Sequence, residues 1–271
     1  MTVRKPACGG VYHSARVAAG YAFARPPVHD GIVQLIAARL GVTADRRRQR
    51  ALDVGCGAGR STAPLAQLAG TIVGVEPAPA MLEHHAAVAP AAWFVVGDAE
   101  ALPFAGRTFD VITCAGALNY TDVDRALAEI ARVLARAGAL AVYDFSAGRR
   151  CRGAADLEGW FEAFERRYPF PAGYALDVAA LDYGRAGLRL ASYEPFDVAL
   201  PMTRDAYLAY VLSETNVQRA VTDGVPDADI RDWCRATLEP LFDRGALDVC
   251  FEGYLAYIVH QRARLSPERR R

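Results

Sequence analysis

The sequence of 271 residues predicts a doubly wound α/β domain built on a largely parallel β-sheet. Between residues 50 and 146, short apolar runs typical of strands alternate with segments of helical periodicity. Such alternation indicates β-α-β units, whose helices cover both faces of a parallel sheet. The first predicted strand also runs directly into three glycines at alternate positions, which is common where a sheet of this class binds a ligand.

Five strands are expected in this central segment, and two more in the C-terminal half would complete a seven-stranded mixed sheet. In chain order the seven are Ala51–Val54, Thr71–Val75, Trp93–Val96, Thr108–Cys114, Ala139–Phe145, Arg189–Leu200 and Leu247–Val259. One helix is expected before the sheet, and three more beyond its fifth strand. They lie at or around Gly31–Leu40, Leu157–Tyr168, Arg204–Leu212 and Asp227–Leu241.

The helix between the fourth and fifth strands is a clear amphipathic segment. Its apolar residues recur at helical spacing: Val123, Leu127, Ile130 and Leu134. Thr121 and Asp124 stand where a capping box would open this helix, and Gly138 stands where the helix is expected to stop.

Composition and charge limit the classes of partner. The 31 basic and 31 acidic residues give a formal net charge of zero, so we expect no overall attraction to nucleic acid or to a membrane. The six cysteines are scattered, without a Cys-x-x-Cys pair or a nearby histidine at metal-ligand spacing, so no disulfide framework and no metal site is expected. No signal-peptide run opens the sequence, and no apolar stretch reaches the roughly 20 residues of a membrane span. These features predict a cytoplasmic protein.

The glycine-rich loop in Ala51-Leu-Asp-Val-Gly-Cys-Gly-Ala-Gly59 is the first candidate binding site. Glycines let the backbone turn sharply and let a ligand approach the main chain, while N–H groups of the following helix point at it. A nucleotide-type cofactor is the natural occupant. Arg60 stands where the nicotinamide and flavin fingerprint requires glycine or alanine, and no Gly-Lys-Ser/Thr of a Walker loop follows.

Two acidic residues follow successive strands. Glu76 ends the second strand, about twenty residues after the glycines, where a carboxylate can accept hydrogen bonds from both hydroxyls of a ribose. Asp98 follows the third strand, where a carboxylate can accept one from the exocyclic amine of adenine. Because ligands of open α/β sheets lie at the carboxyl ends of the strands, the two are expected to hold opposite ends of one adenosine.

With further motifs, these residues resemble the class I S-adenosylmethionine-dependent methyltransferases, and most of all the branch that includes ubiquinone/menaquinone-pathway and trans-aconitate methyltransferases. The motifs are the glycine loop, Tyr21-Ala-Phe-Ala-Arg-Pro26, Val75-Glu-Pro77 with Met81-Leu82, Gly97-Asp-Ala-Glu-Ala-Leu-Pro103 and Phe109-Asp-Val-Ile-Thr-Cys-Ala115. The resemblance runs from residue 21 to about residue 146. It implies a Rossmann-like methyltransferase fold and S-adenosylmethionine as the cofactor, but it does not specify a substrate.

The resemblance also implies which residues contact the cofactor. The methionine part would be contacted by the backbone of the glycine loop, which contains Gly55, Cys56, Gly57 and Gly59. Its ammonium would bind backbone carbonyls of Cys114 and Ala115, and its carboxylate would be covered by Tyr21 and Arg25. The ribose would be bound by Glu76, a face of the adenine by Pro77 and Met81, and the adenine edge by Asp98 and Ala99.

The acceptor side of the site is less defined. After the fourth strand, where many members of the family have a histidine, this chain has Ala117-Leu-Asn119-Tyr120. Asn119 and Tyr120 are expected to orient the acceptor, although neither is a good base at neutral pH. His13, beside Tyr12 in a segment expected to fold over the site, is the candidate base. The Asn/Asp-Pro-Pro-Tyr segment of methyltransferases acting on bases or glutamine amides is absent, which disfavours nucleic acid as substrate.

The segment from residue 157 to residue 224 is rich in aromatic side chains. They include Trp160, Phe164, Tyr168, Phe170, Tyr174, Tyr183 and Tyr207. Either they form an apolar lid over an apolar or aromatic acceptor, or they pack as a small core beneath the insertion. The polar run at 213–217 either brings Glu214 or Asn216 to the pocket or caps a helix.

We therefore expect one methyltransferase domain over residues 1–271. Its parts would be N-terminal helices and a cover (1–49), a cofactor-binding core (50–146), a substrate-pocket insertion (150–224, with a strand near 189–200) and a closing helix and strand (225–271). The expected activity is methyl transfer to O, N or C of a small molecule, in bacterial secondary metabolism. One alternative is a cofactor-binding protein that transfers no methyl group or catalyses another reaction. An RNA or protein methyltransferase is disfavoured by the zero net charge.

Overall fold

The computed structural model describes residues 12, 14–43, 45–170 and 176–261. Its strands are β1 (Arg48–Val54), β2 (Ala69–Glu76), β3 (Trp93–Val96), β4 (Phe109–Ala115), β5 (Leu134–Phe145), β6 (Arg150–Arg152), β7 (Leu188–Met202) and β8 (Leu247–His260). Its α-helices are α1 (Ala15–Phe23), α2 (Val28–Leu40), α3 (His85–Val88), α4 (Val123–Val133), α5 (Leu157–Arg167), α6 (Arg204–Leu212), α7 (Thr215–Thr222) and α8 (Asp227–Leu238). Short 3₁₀ helices include Pro79–His84, Leu118–Tyr120 and Tyr183–Ala186.

The strands form one mixed sheet in the order β3-β2-β1-β4-β5-β8, with β7 on the far side of β8. Strands β1 to β5 are parallel, and β8 is antiparallel to its neighbours. The short β6 continues the line of β5, because Phe145 pairs with Gly253 and Arg150 then pairs with Cys250. The eight strands thus occupy seven positions, which confirms the seven-stranded mixed sheet predicted from the sequence.

Helices cover both faces of the sheet and create two main cores. On one face, α2, α5, α6 and α8 bury apolar side chains that include Ile32, Phe161, Tyr207 and Cys234. On the other face, α4 buries Leu127 and Ile130 against strand residues that include Leu52 and Val142. Covering on both faces explains why the central strands are nearly continuous apolar runs. The doubly wound architecture is confirmed.

The predicted ends of α4 are wrong at both termini. The N-cap is Asp122, whose carboxylate accepts a hydrogen bond from the Arg125 N–H at 3.3 Å, whereas the Thr121 hydroxyl donates to the Leu118 carbonyl. At the other end the chain passes from α4 directly into β5, so Gly138 lies inside that strand. A Cβ at Gly138 would come within 2.9 Å of the Asp110 carbonyl oxygen, so the glycine permits a close backbone approach instead of ending the helix.

The helix α1 lies beside the glycine loop and the 3₁₀ helix at 79–84. It packs Val17, Ala18 and Ala22 against a small cluster that contains Ala58 and Met81. No helix within the described ranges combines the length and apolar character needed to cross a membrane.

Candidate active site

A cleft of about 610 Å³ opens where the parallel strands end. Its floor includes Val54 of β1, Glu76 of β2, Ala115 of β4 and Asp144 of β5. The strand order reverses between β1 and β4, and open α/β sheets bind ligands at such a switch point. The volume lies within the roughly 300–1,000 Å³ of small-molecule sites. Sequence and topology therefore indicate the same place.

Most of the residues predicted to bind the cofactor line this cleft. They are Tyr21, Arg25, Gly55, Cys56, Gly57, Glu76, Pro77, Met81, Asp98, Ala99 and Ala115. Gly59 and Cys114 do not line it. A Cβ on Gly59 would lie 3.2 Å from the Phe94 ring, and the Cys114 side chain is fully buried in the α4-side core. Glycine at 59 thus serves packing, and Cys114 can only contribute its backbone.

The glycine loop makes the sharp turns that its sequence predicts, but the helix expected to follow is wrong: the chain continues in turns to a short 3₁₀ helix at Ala63–Gln67. Gly55 and Gly57 have φ angles of 71° and 53°, in the left-handed region that other residues rarely adopt. A Cβ on Gly55 would overlap the Cβ of Ala117, so the loop approaches the end of β4 too closely for any side chain.

The Glu76 carboxylate holds this loop in place through two hydrogen bonds. Its Oε2 accepts a hydrogen bond from the Gly57 N–H at 3.0 Å, and its Oε1 accepts one from the Ala78 N–H at 3.0 Å. A carboxylate oxygen can accept more than one hydrogen bond, which is the capacity that a ribose diol requires of this residue. Glu76 is only 8% exposed, so little water can reach its carboxylate, and a bound ligand is the better hydrogen-bond partner.

Asp98 differs from Glu76 in that its side chain is exposed in the cleft. Within the described part of the chain its carboxylate makes no hydrogen bond, so both oxygens are available to a ligand. Met81 lies opposite the loop, with its methyl carbon 3.4 Å from the position of a Cβ on Gly57. Two carboxylates and an apolar thioether around a glycine loop match the chemistry of an adenosine, so these residues fit the cofactor implied by the motifs.

Arg25 is already paired with a carboxylate of the protein. Its Nη1 and Nη2 donate to Glu214 Oε1 and Oε2 at 2.8 and 3.1 Å, and its guanidinium carbon lies 4.3 Å from the Tyr21 ring centroid. Burial acts to lower the pKa of Arg25, but the Glu214 charge outweighs it and raises that pKa above its usual range. The fork of Arg25 can therefore bind a ligand carboxylate only if Glu214 releases it. Arg60 is the other guanidinium in the cleft, and its Nη2 donates to the Arg25 carbonyl at 2.8 Å.

Asn119 and Tyr120, which are predicted to orient the acceptor, line the same cleft. The Tyr12 hydroxyl donates to the Tyr120 hydroxyl at 3.2 Å, and the two rings meet edge to face at 5.8 Å. Burial raises the pKa of Tyr12 far above its ordinary value, so its phenol is not a base at neutral pH. The Asn119 Oδ1 is buried and accepts no hydrogen bond from any described residue. His13 lies outside the described residues, so its role stays a prediction.

Residues 52–142 match the family model described as "Methyltransferase domain". For this central segment, the match confirms the prediction of a class I S-adenosylmethionine-dependent methyltransferase domain. The matched segment spans β1 to β5 and contains the glycine loop, Glu76 and Asp98.

Relatives named for the predicted branch match part of this chain. A demethylmenaquinone methyltransferase of Renibacterium salmoninarum is 39% identical over 99 residues, which are 36% of this chain and 42% of that protein. One from Thermobifida fusca is 53% identical over 53 residues, or 19% and 22% of the two chains. The chain thus matches less than half the length of each. In fold, a candidate type II methyltransferase from Anaeromyxobacter dehalogenans has a TM-score of 0.60 at 20% identity, covering 84% of this chain and 95% of its own.

The aromatic insertion is mostly core and only partly cleft wall. Side chains buried in the core on the α5 face are Trp160, Phe164, Tyr168 and Tyr207, while Tyr183 is buried on the opposite face. Their polar atoms bond within the protein: Trp160 Nε1 donates to Thr237 Oγ1 at 2.8 Å, and the Tyr207 hydroxyl donates to the Gly148 carbonyl at 2.7 Å. Phe170 alone of the described members of this set lines the cleft. Tyr174 lies outside the described residues.

Of the two candidate residues in the polar run at 213–217, one lines the cleft and the other does not. Glu214 reaches the cleft, where it holds Arg25. Asn216 turns away from the cleft, is fully buried, and donates from Nδ2 to the Tyr168 carbonyl at 2.8 Å. Neither side chain caps α7 in the usual way, although the Asn216 Oδ1 accepts from the Val217 N–H.

The cleft residues that the sequence reasoning missed include His29 and Asp144. His29, on α2, has its Nδ1 3.0 Å from the Tyr143 hydroxyl, and burial, followed by the charges of Arg60 and Arg25, lowers its pKa to about 3. Asp144 lies at the end of β5, and burial raises the pKa of its carboxyl. The strand-end rule that found Glu76 and Asp98 would also have found Asp144. His29 had no signal, because it lies on an otherwise ordinary helix.

No group of three or more His, Cys, Asp or Glu side chains suited to a metal ion occurs among the described residues.

Proposed function

We propose that this protein transfers a methyl group from S-adenosylmethionine to a small-molecule acceptor. The observation that carries the proposal is one continuous cleft. It is lined at one end by the motif residues Glu76 and Asp98, and at the other by polar groups that the cofactor motifs do not use, such as Asn119 and Asp144.

The cofactor supplies an activated methyl group on a sulfonium, so the protein has chiefly to position the acceptor and keep water out. In this proposal Glu76 and Asp98 hold the adenosine, and the backbone of Gly55 and Gly57 faces the methionine part. Arg60 is available to bind the methionine carboxylate, because Arg25 is held by Glu214.

The acceptor is proposed to have an apolar or aromatic body. Phe145, Phe170 and Tyr210 line the cleft beyond the cofactor motifs, and aromatic rings contribute large apolar contact areas. Two of the relatives are named demethylmenaquinone methyltransferases, which makes a quinone-type acceptor one candidate. A role in bacterial secondary metabolism, in the cytoplasm and without a nucleic-acid or membrane partner, stays a prediction.

A second candidate is a protein that binds the cofactor but catalyses another reaction. The [4+2]-cyclase SpnF has a TM-score of 0.51 to this chain at 21% identity, covering 85% of this chain and 80% of its own. That likeness concerns the fold alone, and a fold does not determine chemistry. The absence of a histidine after β4 is compatible with this candidate as well.

Calorimetry with S-adenosylmethionine and S-adenosylhomocysteine tests the binding part of the proposal. We expect both to bind, and Asp98→Ala to weaken binding at least tenfold, because a hydrogen bond to a buried polar group is worth about 1.5 kcal/mol. Asp243→Asn, which removes the same charge from an exposed loop, is the control and should bind as the parent does. Preferential binding of a nicotinamide or flavin dinucleotide would contradict the proposal. Transfer of a labelled methyl group to any acceptor separates a methyltransferase from the second candidate.

A further inference from the structure

Asp144 is a cleft carboxylate without a positive partner. It lies next to the last residue of β5 and accepts a hydrogen bond from the Phe145 N–H at 2.8 Å. It forms no ion pair with any described residue. A half-buried carboxylate is costly unless a donor or a cation satisfies it, so a partner brought by a ligand would stabilise it.

Asp144 stands at the boundary between two cavities. Besides the large cleft, a chamber of about 170 Å³ lies against the end of β5, lined partly by Leu176 and Tyr254. Asp144 and Asn119 line both spaces. Gly116 leaves room beside the carboxylate, because a Cβ there would come within 3.1 Å of Asp144 Oδ1.

Next to Asp144 the cleft lining includes a second hydrogen-bond acceptor, the Asn119 amide oxygen, and two electron-rich rings. Asn119 Oδ1 has no donor among the described residues, and the rings of Tyr12 and Tyr120 line the same cleft. Faces of tyrosine rings attract cations within about 6 Å. A ligand that brings N–H donors and a positive charge satisfies all of these groups at once.

The charges that line the cleft as a whole also favour a cationic ligand. Its lining contains five carboxylates, those of Glu76, Asp98, Glu100, Asp144 and Glu214. It contains only two guanidinium groups, those of Arg25 and Arg60, the first of which is paired with Glu214. With Glu76 and Asp98 assigned to the adenosine and Glu214 paired with Arg25, Asp144 and Glu100 are the lining carboxylates left to face an acceptor, and their charge attracts a cation.

We propose that the acceptor is an amine and that Asp144 is the catalytic residue that binds its nitrogen, with Asn119 as a second hydrogen-bond acceptor; this inference rests on the proposed function. The amine enters as an ammonium and passes one proton to the Asp144 carboxylate. Its lone pair then forms the N–CH₃ bond as the S–CH₃ bond of the cofactor breaks, and S-adenosylhomocysteine leaves. The raised pKa of Asp144 favours this proton transfer, and the proton finally passes to water.

Calorimetry on the protein loaded with S-adenosylhomocysteine tests this inference without turnover. The probes are benzylamine, benzyl alcohol and benzoate, which share one ring and differ in the group offered to Asp144. We expect benzylamine to bind at least tenfold more tightly than the other two, and Asp144→Asn to remove that preference. S-adenosylhomocysteine affinity should change by no more than a few-fold in Asp144→Asn. Asp243→Asn is the matched surface control.

A conservative variant tests the same inference, and two outcomes would overturn it. Asp144→Glu keeps the carboxylate and should retain part of the benzylamine preference, which separates loss of the acid from loss of structure. Equal affinity for the three probes, including no binding of any, or stronger binding of benzyl alcohol, would overturn the amine assignment and leave the proposed function intact. A parent protein that fails to bind S-adenosylhomocysteine would overturn the proposed function and this inference together.

Discussion

At the scale of single residues, the cleft depends on polar side chains whose partners lie inside the protein. Asp53, near the end of β1, is fully buried and accepts hydrogen bonds from the hydroxyls of Ser61, Thr62 and Thr113 at 2.6 to 2.9 Å. These bonds fix the residues that follow the glycine loop to the strand that precedes it. A loop held from both ends in this way is preorganised for its ligand.

His29 makes the stability of the fold sensitive to acid. Its pKa is lowered to about 3, against about 6.5 in an unfolded chain, so between these values the unfolded state binds more protons. Stability from this residue is therefore complete above pH 6.5 and is lost as the pH falls toward 3. We expect the free energy of unfolding to fall by about 2 kcal/mol from this group between pH 7 and pH 5. Urea unfolding at the two pH values measures it.

The variant His29→Asn should lose this part of the pH dependence, because the asparagine side chain does not titrate. Tyr143→Phe is the matched control, since it removes the hydrogen-bonding hydroxyl but keeps the imidazole buried. That variant should be less stable at both pH values and keep the slope. An unchanged slope in His29→Asn would show that other groups cause the acid sensitivity.

Residues assigned to the cofactor by motifs could be named from the sequence, whereas cleft contacts between distant elements could not. Gly55, Glu76 and Asp98 are recognisable because the chemistry of adenosine places the same residue types at fixed strand ends. Asp144 lies at an equivalent strand end but belongs to no such motif. The pairing of Arg25 with Glu214 joins residues 189 positions apart in sequence, and no local pattern predicts it.

At the scale of elements, strands were predicted more accurately than helix ends. The predicted Trp93–Val96 is the observed β3, because an apolar run bounded by polar turns has few alternative conformations. The start of α4 was misplaced because Thr121 and Asp122 compete to cap it, and only the observed geometry decides between them. The insertion was ambiguous for another reason: an aromatic stripe at helical spacing looks the same whether it faces a core or a cleft.

Two ion pairs join α1 and the residues just after it to the C-terminal helices. Breaking one of them should destabilise α1 much more than breaking the other. Arg25 and Glu214 have side chains 18% and 8% exposed, whereas Arg16 and Asp227 are both 36% exposed. Removing one partner of a buried pair costs about 3–5 kcal/mol, while an exposed pair is worth about 1 kcal/mol or less. We expect Glu214→Gln to speed amide hydrogen exchange across Ala15–Phe23 strongly, and Asp227→Asn to change it little.

Bound cofactor should slow hydrogen exchange in the same helix, whereas Glu214→Gln should speed it. Because α1 packs on Ala58 and Met81 beside the cleft, bound S-adenosylhomocysteine is expected to slow exchange in α1 of the parent protein. Unchanged exchange in α1, both on adding S-adenosylhomocysteine and in Glu214→Gln, would rule out this helix as a cover of the site.

At the scale of the whole molecule, the last strand, β8, extends the sheet beyond the parallel strands whose ends form the cleft. β8 pairs with β5 over Leu140–Phe145 on one side and with β7 on the other. It also contributes to both cores, so the two halves of the sequence share their packing. We therefore expect residues 50–146 to be a segment of one folded unit and not an independently folding one.

A chain that ends at residue 246, before β8, should accordingly fail to fold cooperatively. It would lose, besides Ala256, four large apolar side chains that are no more than 2% exposed: Val249, Phe251, Leu255 and Ile258. Their burial is worth together roughly 6–12 kcal/mol, which is comparable with the whole stability of a typical domain, about 5–15 kcal/mol. We expect no thermal transition and no binding of S-adenosylhomocysteine, whereas a chain that ends at residue 261 keeps every described strand and should retain both. If the shorter chain melted cooperatively and bound the ligand, the cofactor segment would be shown to fold alone.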